Sequence, residues 1–208
     1  MIGAESAAAW PLGGRDPQTL ILEKFAVYFA QTLVCGLALT WFWRRYALRW
    51  PRRLLHTFVI AFLIFVIWVA PQFFFGAMPR REGFDPMVFE KNRVAFFAVL
   101  IVRFLRLVVI VPLVEEIFWR GFLLRWLIRE DFQRVEIGAF SRFSFLAVSL
   151  AFMLEHQPAD WPAALAAGAL FNCVAYRTRS LSSCILAHAA TNLLLGVYVF
   201  QTRQWGFW

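Results

Sequence analysis

The chain has 208 residues, of which 61% are hydrophobic and only 16% are charged, and its formal net charge is +8. A soluble domain carries about 45–50% apolar and about 25% charged residues, so this chain has too few polar side chains to cover a water-facing surface. The composition excludes a disordered chain, a collagen and a disulfide scaffold, and argues against a soluble globule. It predicts an all-α protein, a polytopic membrane helical bundle.

Apolar runs along the chain predict the spans, because a helix of about 20 residues crosses a bilayer core of about 30 Å. Six transmembrane helices are predicted, at residues 21–43, 54–76, 104–124, 143–159, 161–176 and 182–201. Residues 94–103 are predicted to form an interfacial or partly inserted helix leading into the third span, and a seventh crossing would lie there. We expect residues 1–208 to form a single membrane domain.

The arginines between the spans predict the orientation. Segments 44–53, 125–142 and 177–179 carry five, four and two arginines, and six spans place all three segments on one side. The opposite side holds six basic residues. The positive-inside rule then puts these three segments in the cytoplasm and both termini outside it. Because the basic residues alternate with apolar runs, no free basic face remains for nucleic acid, and no nucleic-acid partner is expected.

Two adjacent carboxylates, Glu115 and Glu116, stand in the apolar third span. Ionisable groups inside a membrane span are costly, so each is a candidate functional residue. Residues four apart on a helix are neighbours, and Glu116 is therefore predicted to pair with Arg120. Glu115 points to another face and has no partner at helical spacing. An unpaired carboxylate in an apolar helix is a candidate general acid or base.

Two further polar groups lie in later spans: Glu155 with His156 near the end of the fourth, and His188 with Asn192 inside the sixth. His188 and Asn192 are four apart and share a helix face. Asn172 in the fifth span is interpreted as a packing residue that hydrogen-bonds between helices. The predicted spans place His156 near the outer end and His188 near the inner end, so a common site requires tilted helices of unequal depth.

Together, a carboxylate, two histidines and an asparagine can remove a proton from water and stabilise an oxyanion, which suffices to hydrolyse an amide. One alternative is a zinc metalloprotease with Glu115, His156 and His188 as ligands, because these residue types bind zinc. A second is a non-enzymatic membrane scaffold or immunity-type protein that keeps the motifs for structure. A third is a transporter, since intramembrane Glu and His also serve as proton relays.

Three motifs follow one another in the chain: Glu-Glu-x-x-x-Arg, Phe-x-x-x-His and His-x-x-x-Asn. They lie at Glu115, Glu116 and Arg120, at Phe152 and His156, and at His188 and Asn192. In this order they resemble the CPBP family, which contains the type II CAAX prenyl endopeptidases and bacteriocin-processing enzymes and is also called the glutamic-type intramembrane proteases. The residues around the motifs are similar to those of the bacterial subgroup found with exosortase (PEP-CTERM) sorting systems.

This resemblance implies a metal-independent intramembrane endopeptidase that needs no cofactor, with residues 104–201 as its catalytic core. By family analogy, Glu115 and His156 activate the water, while His188 and Asn192 form the oxyanion hole. Glu116 and Arg120 would hold the site together. The implied partners are the lipid bilayer and a membrane-associated peptide or protein substrate, and the implied location is the bacterial inner membrane.

Overall fold

The computed structural model describes residues 17–46, 48–81 and 83–208, and these residues form helices, turns and loops without a β-strand. The expected single domain over residues 1–208 therefore includes residues 1–16, which lie outside the described residues. Six helices carry the fold: α1 (Pro17–Trp41), α2 (Leu54–Phe74), α3 (Arg93–Trp126), α4 (Arg142–Leu154), α5 (Trp161–Thr178) and α6 (Leu181–Thr202).

The predicted all-α membrane bundle is confirmed, and each predicted span overlaps one helix. By length and composition, α2, α3 and α6 are long and apolar enough to cross a membrane. In contrast, α4 has 13 residues and is about 20 Å long, less than a bilayer core of about 30 Å. The predicted fourth span, 143–159, is too long, since the helix ends at Leu154 and His156 lies in the following turn.

Residues 94–103 continue without a break into the third predicted span, as the first part of the 34-residue helix α3. The described residues therefore contain no separate seventh helix at this place. Arg103 lies within α3 and does not interrupt it. Its guanidinium lies about 5 Å from the ring centres of Tyr28, Phe84 and Trp208. Cation–π attraction of this kind lowers the cost of burying an arginine away from water.

Helix α3 contains two π-helical turns, Arg106–Ile110 and Ile117–Leu123, on either side of a short α-helical stretch that carries both glutamates. In the first turn, the backbone N–H of Val111 donates to the carbonyl of Arg106, five residues back. The next donor in this register would be Pro112, which has no N–H group. Pro112 therefore leaves the carbonyl of Leu107 without a donor in this register.

Helices α4 and α5 approach closely at Gly168. A Cβ at this position would lie 3.2 Å from the Cβ of Phe152 and 3.3 Å from the Cα of Ser149, so a larger residue would push the helices apart. The close contact brings the ring of Phe152 and the carbonyl of Gly168 to the same place in the core, where Arg120 of α3 also lies.

Candidate active site

Glu116 and Arg120 form the ion pair that their spacing predicts. Arg120 Nη1 donates to Glu116 Oε1 at 2.9 Å, and both side chains are completely buried. Two charges without access to water are costly unless they are paired and hydrogen-bonded. The pair therefore depends on the other groups that surround it.

Arg120 connects α3 to α5 through two further hydrogen bonds. Its Nε donates to Asn172 Oδ1 at 3.0 Å, and its Nη2 donates to the carbonyl of Gly168 at 3.0 Å. Asn172 in turn donates to Ser149 Oγ of α4 at 3.2 Å. The guanidinium also lies 5.2 Å from the ring centre of Phe152, so one side chain holds three helices together.

His188 joins α6 to the same glutamate. Its Nδ1 lies 2.9 Å from Glu116 Oε1, and its ring stacks on Phe171 with the centres 4.8 Å apart. Because a carboxylate bound to arginine accepts rather than donates, Nδ1 carries the proton. A carboxylate on one imidazole nitrogen fixes both the ring orientation and the tautomer, which leaves the other nitrogen for chemistry.

Glu115 faces that other nitrogen. Its Oε2 lies 4.0 Å from His188 Nε2, and its side chain keeps 23% of its exposure, whereas Glu116 keeps none. A separation of 4.0 Å is too long for a direct hydrogen bond and is compatible with a water molecule that contacts both atoms. The two neighbouring carboxylates thus differ as helix geometry predicts: Glu116 is buried and shares its Oε1 between Arg120 and His188, and Glu115 is partly accessible.

His156 lies in the turn after α4, beside the cluster. Its Nδ1 is 2.8 Å from the carbonyl of Phe152, so this nitrogen donates and Nε2 remains free. The ring centre lies 4.9 Å from that of Phe152 and 5.3 Å from that of Trp68. Phe152 also contacts His188, with centres 6.4 Å apart, and therefore lies between the two histidines.

Among the described residues, His156 makes no hydrogen bond or ion pair with Glu115 or His188. Glu155 precedes His156 in the same turn and is exposed, and its carboxylate repels that of Glu115. Glu155 therefore faces the rim of the site rather than its buried centre.

Asn192 shares a helix face with His188, yet its side chain is engaged elsewhere. Its Nδ2 donates to the carbonyl of Leu107 at 3.0 Å. This is the carbonyl that Pro112 leaves without a donor in the first π turn of α3. The structure therefore gives Asn192 a supporting contact with α3 and does not bring its amide nitrogen into hydrogen-bond contact with Glu115 or His188.

Sequence reasoning missed part of the environment of Arg120. Asn172 makes the interhelical hydrogen bonds that were predicted for it, but its partner, the buried Arg120 guanidinium, was not predicted. A polar residue in an apolar span was the available signal for that role. The backbone carbonyl of Gly168 gave no such signal. Glu116 Oε2 and Trp119 Nε1 are among the buried polar atoms that have no hydrogen-bond partner in the described residues.

The three proposed zinc ligands of the alternative interpretation are not gathered at one point. Within residues 17–46, 48–81 and 83–208, no group of three or more His, Cys, Asp or Glu side chains is arranged to hold a metal ion. His188 contacts both glutamates, but His156 is separated from it by Phe152.

The fold and the cluster define an all-α membrane protein whose centre is a buried Glu–Arg pair with a histidine bound to it. Residues 94–194 match the family model of the type II CAAX prenyl endopeptidase Rce1-like proteins, and this match supports the CPBP/CAAX protease family for this part of the chain. The predicted resemblance is thereby confirmed at the level of the family, which consists of membrane proteases. Comparison with curated proteins gives no match, and comparison with solved structures gives none either.

Proposed function

We propose that the protein is an intramembrane endopeptidase in which Glu115 is the general base for water. One observation carries the proposal: Glu115 is the accessible carboxylate, and it lies 4.0 Å from the free Nε2 of His188, while Glu116 is committed to Arg120 and His188. A base must have a free lone pair within reach of the water that it deprotonates.

Hydrolysis would begin with a water molecule between Glu115 and His188. Glu115 takes a proton from this water, whose oxygen attacks the carbonyl carbon of the peptide bond and forms a tetrahedral oxyanion. The C–N bond then breaks, and the leaving amine receives the proton from Glu115. His188 would donate to the oxyanion from Nε2 as the imidazolium, with its Nδ1 proton still held by Glu116.

His156 and Asn192 complete the proposed machinery. Nε2 of His156, which makes no hydrogen bond among the described residues, would share the water proton with Glu115 in the complex with substrate. The amide of Asn192 has two N–H groups, and only one is used by Leu107. The second would donate to the oxyanion.

Glu116 and Arg120 support this chemistry without taking part in it. Glu116 fixes the His188 ring through Nδ1, and Arg120 fixes Glu116 to α5. Groups held in place by hydrogen bonds stabilise developing charge without reorganising during the reaction. We therefore propose that residues 104–201 form the catalytic core of a single membrane domain that covers residues 1–208.

The proposed substrate is a membrane-associated peptide or protein, and the proposed location is the bacterial inner membrane. The proposed mechanism uses neither a metal nor another cofactor. We further propose that the protein belongs to the exosortase-associated subgroup, since the residues around the motifs resemble that subgroup.

Comparison of protein termini in cells tests the activity. Membrane fractions from cells that express the wild type, Glu115→Gln or Glu130→Gln would be analysed for newly formed protein termini. Glu130 is an exposed residue in the loop after α3, so this variant is a matched control for the loss of a carboxylate. We expect termini that are present with the wild type and the control and absent with Glu115→Gln. Identical termini in all three samples would contradict the proposal.

A further inference from the structure

A cavity of about 850 Å³ opens on the side of the bundle where the basic loops lie. Its walls come from the segment after α1, the second π turn of α3, the loop between α3 and α4, and the start of α6. Five arginines line it: Arg45, Arg49, Arg52, Arg125 and Arg179. None of the proposed site residues lines the cavity, which begins at Ile117 and Gly121, next to Glu116 and Arg120 in the chain.

Two of the five arginines are already engaged. Arg125 donates to the backbone carbonyls of Val135 and Gly121, and Arg179 lies 3.8 Å from Glu136, the one acidic residue in the cavity wall. Arg45, Arg49 and Arg52 pair with no acidic group among the described residues. Three uncompensated positive charges around one concave surface attract an anion.

The backbone at Arg52 is fixed to α6 by a reciprocal pair of hydrogen bonds. Ser183 Oγ accepts from the N–H of Arg52 at 2.8 Å and donates to its carbonyl at 3.0 Å, and Ser183 is completely buried. The cavity therefore has a fixed wall rather than a loose loop. A neighbouring cavity of about 500 Å³ shares Arg52 and Arg179 and adds Arg53 and Arg177, so the positive surface continues beyond the first cavity.

The cavity is also partly apolar. Leu48, Ile117 and Phe122 line it together with the arginines. On the same segment after α1, Trp43 and Trp50 are 53% and 91% exposed. Exposed tryptophans are typical of the boundary between a membrane and water, where polar headgroups and acyl chains meet. A ligand that fits both walls carries an anionic group and a hydrocarbon part.

We propose that this cavity binds the phosphate of an anionic phospholipid headgroup, with the start of an acyl chain against Leu48, Ile117 and Phe122. The planar guanidinium groups match phosphate oxygens with paired N–H donors. Such a lipid would bridge the segment after α1 to α3 and α6, next to the buried site. This inference is independent of the proposed protease activity.

Lipid binding to the full-length protein in a neutral detergent tests the inference. Short-chain phosphatidylglycerol is titrated, and bound lipid is counted by native mass spectrometry. The double variant Arg49→Gln/Arg52→Gln removes two cavity arginines. Arg129→Gln/Arg142→Gln removes two exposed arginines from the same side that line neither cavity, and it is the matched control. Equal melting temperatures of all three proteins establish that the variants are folded.

We expect the cavity variant to bind phosphatidylglycerol about thirtyfold more weakly than the wild type, and the control to bind like the wild type. Equal weakening in both variants would show general surface attraction and overturn the proposal. Zwitterionic phosphatidylcholine that binds as tightly as phosphatidylglycerol would also overturn it. If inorganic phosphate or an oligoglutamate peptide displaces the lipid at equal concentration, the site recognises a free anion or an acidic peptide, and the lipid assignment fails.

Discussion

Asn192 donates a hydrogen bond to the backbone carbonyl of Leu107, 85 residues earlier in the chain. The contact exists because Pro112 cannot supply an N–H in the π register of α3. A proline in one transmembrane helix is thereby compensated by an asparagine in another, as is typical where a neighbouring helix satisfies a freed backbone group.

This relationship predicts non-additive effects on stability. Asn192→Ala leaves the Leu107 carbonyl unsatisfied and should cost about 1–3 kcal/mol of unfolding free energy. Pro112→Ala restores a backbone donor in α3, so adding Asn192→Ala to it should cost clearly less. Melting of the four proteins in detergent measures this double-mutant cycle. Strictly additive losses would show that Pro112 does not create the need for Asn192.

The sequence could not have indicated the partner of Asn192. Spacing places Asn192 on the same face as His188, and both residues do face α3. The hydrogen bond to the Leu107 carbonyl depends on the π register of α3, which adds one residue to a turn. Nothing in an apolar run distinguishes that register from a regular α-helix, whereas the i, i+4 pair of Glu116 and Arg120 needs only local geometry.

His156 illustrates a second limit. The sequence placed it inside a span that reaches residue 159, but α4 ends at Leu154. The imidazole Nδ1 contacts the Phe152 carbonyl, while the backbone N–H of His156 turns to Met153. The side chain of His156 thus helps to end the helix that was predicted to contain it. The apolar run alone predicted that a helix exists here, but it did not predict the residue at which the helix ends.

The Arg120→Ala protein should be much less stable than the Glu115→Gln protein. Removing Arg120 strands the buried Glu116 and leaves Asn172 and Gly168 without their donor. Breaking a buried ion pair by deleting one partner costs about 3–5 kcal/mol. Glu115→Gln keeps the shape of a half-buried side chain and should melt close to the wild type.

Thermal melting in detergent measures both variants, and Arg129→Ala, at an exposed arginine after α3, is the control. If Arg120→Ala melts at the wild-type temperature, the buried pair does not stabilise the bundle and the account given for Glu116 fails. If Glu115→Gln loses both activity and folding, the motifs serve structure and a non-enzymatic scaffold is favoured.

Orientation can be checked independently of activity. The positive-inside rule predicts that segment 44–53 faces the cytoplasm and that the C-terminus faces away from it. An alkaline phosphatase fusion at the C-terminus should be active and one at Arg49 inactive, with the reverse pattern for green fluorescent protein fusions. If segment 44–53 and the C-terminus are both cytoplasmic, the number of crossings is odd, for example because the short α4 does not span the bilayer.

Chelation separates the proposed mechanism from the zinc alternative. Proteolytic activity should survive strong chelators, and the purified active protein should contain less than one metal ion per chain. The physical reason is that Glu115 itself would activate the water, so no metal-bound hydroxide is required. Activity that disappears on chelation and returns with added zinc would establish the metalloprotease interpretation.

The two carboxylates should respond differently to the same substitution. Glu116 is bound by Arg120 and His188 and is fully buried, whereas Glu115 keeps a free carboxylate that faces His188 Nε2. Glu115→Gln should therefore abolish activity in a folded protein, because an amide cannot take the water proton. Glu116→Gln should mainly lower the stability of the fold, because the charge that balances Arg120 is lost while Arg120 stays buried.

Activity and melting temperature, measured on the same preparations, decide between the two roles. His156→Ala should also fall to background activity. Asn192→Ala should keep weak activity, since losing one oxyanion donor typically lowers kcat by about 10²–10³. A fully active Glu115→Gln together with an inactive but normally folded Glu116→Gln would reverse the two assignments, because the buried carboxylate would then be the one that reaches the water.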